Sequence, residues 1–98
     1  MTIEKKANGN ELIMVLTGRL DTITAPLLEK ELQENLDGVE SLILDFAALD
    51  YLSSAGLRVL LSIHKIMSAR GGMVVRNANE AIMEIFDVTG FCDVLNIE

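Results

Sequence analysis

A single cysteine, Cys92, rules out an internal disulfide and cannot by itself build a zinc cluster. That usage suits a reducing compartment, where chains persist without cross-links. Tryptophan is absent, and Phe46, Tyr51, Phe86 and Phe91 are the whole aromatic complement, 4% of 98 residues. Since half of the chain is apolar, its core must come from Leu, Ile, Val and Met, and a disordered chain is excluded. Positive charge is scarce: 8 Lys and Arg against 15 Asp and Glu leave a net charge of −7. Nucleic-acid binding replaces counterions with Lys and Arg, and no basic cluster here could do it. Anionic membrane surfaces are disfavoured for the same reason. The longest clean apolar run, Leu12 to Leu16, falls far short of the ~18 residues of a membrane span. The opening Met1 to Lys6 lacks the apolar stretch of a signal peptide. These absences point to a cytoplasmic chain of one domain, residues 1–98, whose partners are proteins or a small ligand.

What is present reads as alternating elements. Thr2 to Ala7, a turn at Asn8-Gly9-Asn10, and Glu11 to Thr17 form an antiparallel hairpin, because Asn-Gly tolerates positive φ. Thr24-Ala25-Pro26 opens a helix, with Thr24 as cap and proline harmless in the first turn. Ala25, Leu28, Leu32 and Leu36 give it one narrow apolar stripe, and Asp37-Gly38 ends it. Ser41 to Phe46 is nearly continuous apolar sequence, as expected of a strand covered on both faces. A helix from about Ser54 to Arg70, closed by Gly71-Gly72, leads to a second such strand, Met73 to Arg76, and the three form a right-handed βαβ unit. Asn77 with Glu80 resembles a capping box for a third helix through Ile82, Ile85 and Phe86, stopped by Gly90. The tail, Phe91 to Glu98, fits a short helix, a short strand, or both. The fold class is therefore α/β: a mixed sheet, N-terminal hairpin plus parallel βαβ, with flanking helices.

Enzyme signatures are missing. There is no G-x-x-x-x-G-K phosphate loop. The only histidine, His64, lies ten helical residues from Ser54, roughly 15 Å along the axis, so no Ser–His dyad can form. One His and one Cys far apart supply no metal-ligand spacing. Asp45, Asp50 and Asp21, the last ending the turn Gly18-Arg19-Leu20-Asp21, have no acid/base partner and read as acceptors for nearby backbone N–H groups. No catalytic residue and no cofactor are indicated. That leaves the junction Leu49 to Leu57, where a strand hands over to a helix through Ser53-Ser54. Either serine can cap the helix. A helix start is also where a phosphate sits most comfortably, and a phosphoryl group there adds about −1.5 to −2 charges without entering the core. In the helix that follows, Leu57, Val59, Leu60, Leu61, Ile63, Ile66 and Met67 cover roughly 220° of arc, wider than one sheet contact needs. A neighbouring helix or a partner protein must cover the rest.

Gly18-Arg19-Leu20-Asp21 before a helix, the block Leu52-Ser53-Ser54-Ala55-Gly56-Leu57-Arg58-Val59-Leu60-Leu61, and Ile85-Phe86-Asp87-Val88-Thr89-Gly90 together resemble the STAS domain family, in its branch of bacterial anti-sigma factor antagonists. The resemblance runs over essentially the whole chain. It implies a non-enzymatic domain that binds an anti-sigma factor, itself a GHKL-type serine kinase, and so frees the sigma factor. Phosphorylation of a serine at the start of the second helix releases the complex, and a serine phosphatase resets it; ATP and magnesium belong to the kinase. The family's usual Asp-Ser-Ser-Gly or Asp-Ser-Thr-Gly motif, aligned on Gly56, puts the acceptor at Ser54, with Ser53 in the Asp position and as the alternative acceptor. Asp21, Ser53, Ser54, Gly56, Leu57 and Arg58 then form the partner-binding set, on a monomer or weak dimer. The departure from the pattern is Ser53, which removes a negative charge and adds a competing hydroxyl. Three readings follow. The first is a phospho-switch. The second is a constitutive assembly subunit, as in STAS domains of lipid-transport complexes, whose serines only cap the helix. The third is a binder of nucleotide or another anion at the helix start.

Overall fold

The computed structural model describes all residues, 1–98. Strands β1 (Thr2–Asn8) and β2 (Glu11–Leu20) form the expected antiparallel hairpin. Its two loop residues are Gly9 and Asn10, and only Gly9 takes a positive φ, +63°. The turn therefore rests on glycine at its first central position rather than on an Asn-Gly pair. Helix α1 (Ala25–Asn35), strand β3 (Ser41–Leu52), helix α2 (Ser54–Ser68), strand β4 (Met73–Arg76) and helix α3 (Glu80–Thr89) follow. The tail resolves into both candidates, a 3₁₀ turn at Phe91–Asp93 and a two-residue strand β5, Asn96–Ile97. The sheet order is β1-β2-β3-β4-β5, parallel from β2 onward.

Each crossover steps to the next strand in the same direction, so right-handed connections stack all three helices on one face. Burial agrees. Leu12, Met14 and Leu16 of β2, Leu42, Leu44 and Phe46 of β3, and Met73 and Val75 of β4 are buried under the helices, whereas Ile13, Val15 and Val74 on the other face are only half-buried. The expectation that β3 is covered on both faces is thereby corrected. Ile43 is closed in by its in-register neighbours Ile13 and Val74, and Asp45 beside it stays half-buried.

β2 and β3 run further than their apolar runs suggest, through Gly18-Arg19-Leu20 and Ala47 to Leu52. Their pairing slips twice, between Val15 and Thr17 and between Gly18 and Arg19, and at each slip β3 carries the extra residue. Such bulges bend a strand and let it continue past polar residues. Asp45 serves the first of them, its Oδ1 accepting from Ala47 N at 3.0 Å and from Asn77 Nδ2 at 3.2 Å, which is the turn role expected of it. Asp50 departs from that role: it lies within β3, exposed, and its carboxylate accepts no hydrogen bond within the chain.

Two capping assignments change. Thr24 precedes α1, but its hydroxyl makes no cap bond; it donates to Arg19 O at 2.7 Å. Asn79, not Asn77, caps α3, its Oδ1 accepting from Ile82 N at 2.9 Å. Asn77 takes a left-handed φ of +63°. The wide apolar arc of α2 is covered mostly within the chain: Leu57, Val59, Leu60, Ile63 and Met67 are buried, Leu61 is half-buried, and Ile66 stays exposed. Arg70 lies just past α2, and its guanidinium donates to Leu36 O at 2.5 Å, tying that helix end to the end of α1.

Candidate functional site

The two bulges bring the ends of β2 and β3 into register at Leu20 and Leu52, both buried. The chain then leaves the sheet on both strands side by side, and Ser53 N donates to Leu20 O at 2.9 Å, joining the two exits. Asp21 follows one strand and the Ser53-Ser54 pair follows the other, so residues 32 and 33 positions apart in sequence become neighbours at one end of the sheet.

The serines differ in what they do. Ser53 has extended backbone, and its Oγ accepts from Gly56 N at 3.4 Å, which makes it the N-cap of α2. Ser54 is the first helical residue, exposed, with no hydrogen bond to its hydroxyl. The amides of Ser54 and Ala55 have no acceptor within the chain. Those free donors lie at the positive end of a 15-residue helix.

Gly56 explains how closely the helix start seats on the strands. A Cβ there would stand 2.7 Å from Leu52 Cδ1, 2.8 Å from Leu20 Cγ and 3.1 Å from Leu20 O, so only glycine fits without displacement. Gly56 and Leu57 are buried, the latter 8% exposed, and cannot be contact surface as they stand. Of the six residues expected to meet a partner, these two are therefore buried, while Asp21, Ser53, Ser54 and Arg58 reach solvent.

Asp21 organises the other loop. Its Oδ1 accepts from Thr24 N at 3.1 Å and Ile23 N at 3.0 Å, and Thr24 Oγ1 accepts from Asp21 N at 2.8 Å. The Thr24 N–H bond is the main cause that holds this carboxyl below its ordinary value, against an opposing desolvation, with Ile23, the Thr24 hydroxyl and Arg19 adding to it. Arg19 lies between Asp21 Oδ2, 3.6 Å from its Nε, and the Tyr51 ring, 4.2 Å from its Cζ.

Sequence reasoning missed two features. Ile23, in the loop that Asp21 shapes, is 81% exposed. Its signal was visible, since it falls outside the α1 stripe of Ala25, Leu28, Leu32 and Leu36. A groove of about 300 Å³ also runs between α1 and α2, lined by Thr22, Ala25, Pro26 and Glu29 on one side and Ala55, Arg58, Val59 and Ser62 on the other. Only the packing of the two helices creates it. His64 is half-buried on α2, and its Nδ1 has no partner. Cys92 is exposed, on the 3₁₀ turn. No helix is long and apolar enough to cross a membrane.

Comparison with known proteins gives a consistent picture. The profile of the STAS domain matches residues 2–98. A protein of Bordetella bronchiseptica named "Putative anti-sigma factor antagonist BtrV" is 35% identical over 88 residues, which cover 88% of this chain and 76% of that protein. Among solved structures, an anti-sigma factor antagonist from Mycobacterium paratuberculosis superposes with a TM-score of 0.88 at 23% identity, over 98% of this chain and 83% of that one. The Bacillus cell fate determinant SpoIIAA in its phosphorylated form superposes with a TM-score of 0.76 at 16% identity, over 99% and 91%.

Proposed function

The chain belongs to the STAS domain family, and from that premise we propose that it is an anti-sigma factor antagonist worked by phosphorylation. Unmodified, it binds an anti-sigma factor that is also a GHKL-type serine kinase; phosphorylated on Ser54, it lets go; a serine phosphatase returns it to the binding state. The 35% identity to a protein named as such an antagonist supports the regulatory role. The observation that carries the switch is the division of labour between the serines: Ser53 is spent as the helix cap, and the Ser54 hydroxyl stands exposed and unbonded.

The physical logic is local. A kinase needs a hydroxyl it can reach, and here the substrate hydroxyl is Ser54 Oγ; positioning of ATP and stabilisation of the transferred phosphoryl are the partner's task. The product phosphate sits beside the free amides of Ser54 and Ala55, where negative charge is favoured. The fold therefore tolerates the modification, while the surface gains about −1.5 to −2 charges. On a contact face made of Asp21, Ser53, Ser54 and Arg58, with Ile23 and the α1/α2 groove alongside, that charge must be desolvated for the partner to stay bound.

The test is a binding measurement with the cognate kinase. Ser54→Asp is expected to weaken binding by tenfold or more while thermal unfolding stays near that of the wild type, and Ser54→Ala is expected to bind but accept no phosphate. Equal binding by Ser54→Asp and wild type contradicts the switch.

A further inference from the structure

The outer edge of β1 is a seven-residue strand bonded on one side only. In its ladder with β2, Asn8 and Glu11 close the two-residue turn, and hydrogen-bonded pairs alternate from there. The backbone groups of Thr2, Glu4, Lys6 and Asn8 are thus directed to β2, and those of Ile3, Lys5 and Ala7 point outward without partners. The side chains of these three stand on the helix-bearing face, where Lys5 Nζ lies 2.7 Å from Glu31 Oε2 of α1. Glu4 and Lys6 stand on the open face, opposite Val15 and Ile13, and neither has an ion-pair partner.

We propose that β1 pairs antiparallel with β1 of a second copy, about a twofold axis through Lys5, joining two sheets edge to edge. Charge selects the register. Outward groups must meet outward groups, so with most of the strand overlapping the axis passes through Glu4, Lys5 or Lys6. An axis through Glu4 or Lys6 sets that uncompensated charge against itself, which is unfavourable. An axis through Lys5 sets Glu4 against Lys6 of the other copy, twice, and Ile3 against Ala7. Lys5 meets Lys5, but each is already neutralised by its own Glu31. Lysines on an edge strand ordinarily keep such edges apart, and that intrachain pair removes the guard. The three outward pairs exchange about six backbone hydrogen bonds. Along the same edge runs a groove of about 340 Å³ lined by Met1, Ile3, Leu27, Lys30, Glu31 and Glu34, with Leu27 53% exposed, and the second copy covers it.

Sedimentation equilibrium of the full chain tests this. The wild type is expected to dimerise as concentration rises. Glu4→Lys alone, or Lys6→Glu alone, turns two attractive cross-strand pairs into two repulsive ones and weakens association about tenfold. Mixing the two variants restores both pairs, and dimers return as heterodimers. Lys5→Pro removes only an outward N–H from the ladder and abolishes the dimer while circular dichroism stays native; should that variant misfold, the charge-swap mixture still decides. A wild type that stays monomeric at millimolar concentration overturns the proposal. So do single variants that dimerise like the wild type.

Discussion

At the residue scale, Ser53 and Ser54 are adjacent in sequence and unlike in physics. The backbone of Ser53 is extended and turns its oxygen back onto Gly56 N, whereas Ser54 already has helical geometry and projects outward. Ser53→Ala is accordingly expected to cost about 0.5–1 kcal/mol of stability, the low end for a cap because the bond is long at 3.4 Å. Ser54→Ala is expected to change stability by less, and denaturant titration of the two variants measures the contrast. Asp21 offers a pH test. Its folded carboxyl is held below the ordinary value, chiefly by the Thr24 N–H, so its contribution is present above the unfolded value of about 4 and is lost as pH falls through the folded one. Asp21→Asn lacks that contribution. Its thermal midpoint should lie below the wild type's near neutral pH, and the gap should close on acidification below about pH 4.

At the scale of elements, the site is a product of two strand ends and one helix start. Pairing of Leu20 with Leu52, the Ser53 N to Leu20 O bond and the bare Cα of Gly56 hold α2 close on the exits of β2 and β3. Gly56→Ala gains some helix propensity but forces a methyl against Leu20 and Leu52. The net is expected to be a loss of about 1–2 kcal/mol. It should also weaken partner binding, because the start of α2 must shift, and paired unfolding and binding measurements check both. Much of this was legible in the chain. The α1 stripe, the βαβ unit, the third helix and the strand-to-helix handover at Ser53-Ser54 follow from periodicity and turn residues. The bulged extensions of β2 and β3 were not, since Gly18, Arg19 and Asp50 interrupt the apolar run and Ala47-Ala48 has little strand propensity, and only pairing between neighbours keeps them extended. Cap assignments failed for a related reason. Thr24 and Asn77 are good caps by type, but the Thr24 hydroxyl is drawn to Asp21 N and Arg19 O, and Asn79 takes the Ile82 amide once the loops close.

At the scale of the whole molecule, one apolar core under three helices leaves the site end of the sheet free to carry charge. The chain already bears −7, so a phosphoryl group changes the total by about a quarter. Under the proposed switch, placement beside the free amides of Ser54 and Ala55 would make that change a signal rather than a burden on folding. The groove could not be read from the sequence, because it depends on how α1 lies against α2, whereas the exposure of Ile23 was signalled by its place outside the α1 stripe. The most direct measurement is incubation of the chain with ATP and each GHKL-type kinase of its source genome, with the modified residue mapped by mass spectrometry. A single phosphoserine at Ser54, made by one kinase that binds the unmodified chain, is the predicted result. Phosphate found only at Ser53, or no transfer from any of them, contradicts the account.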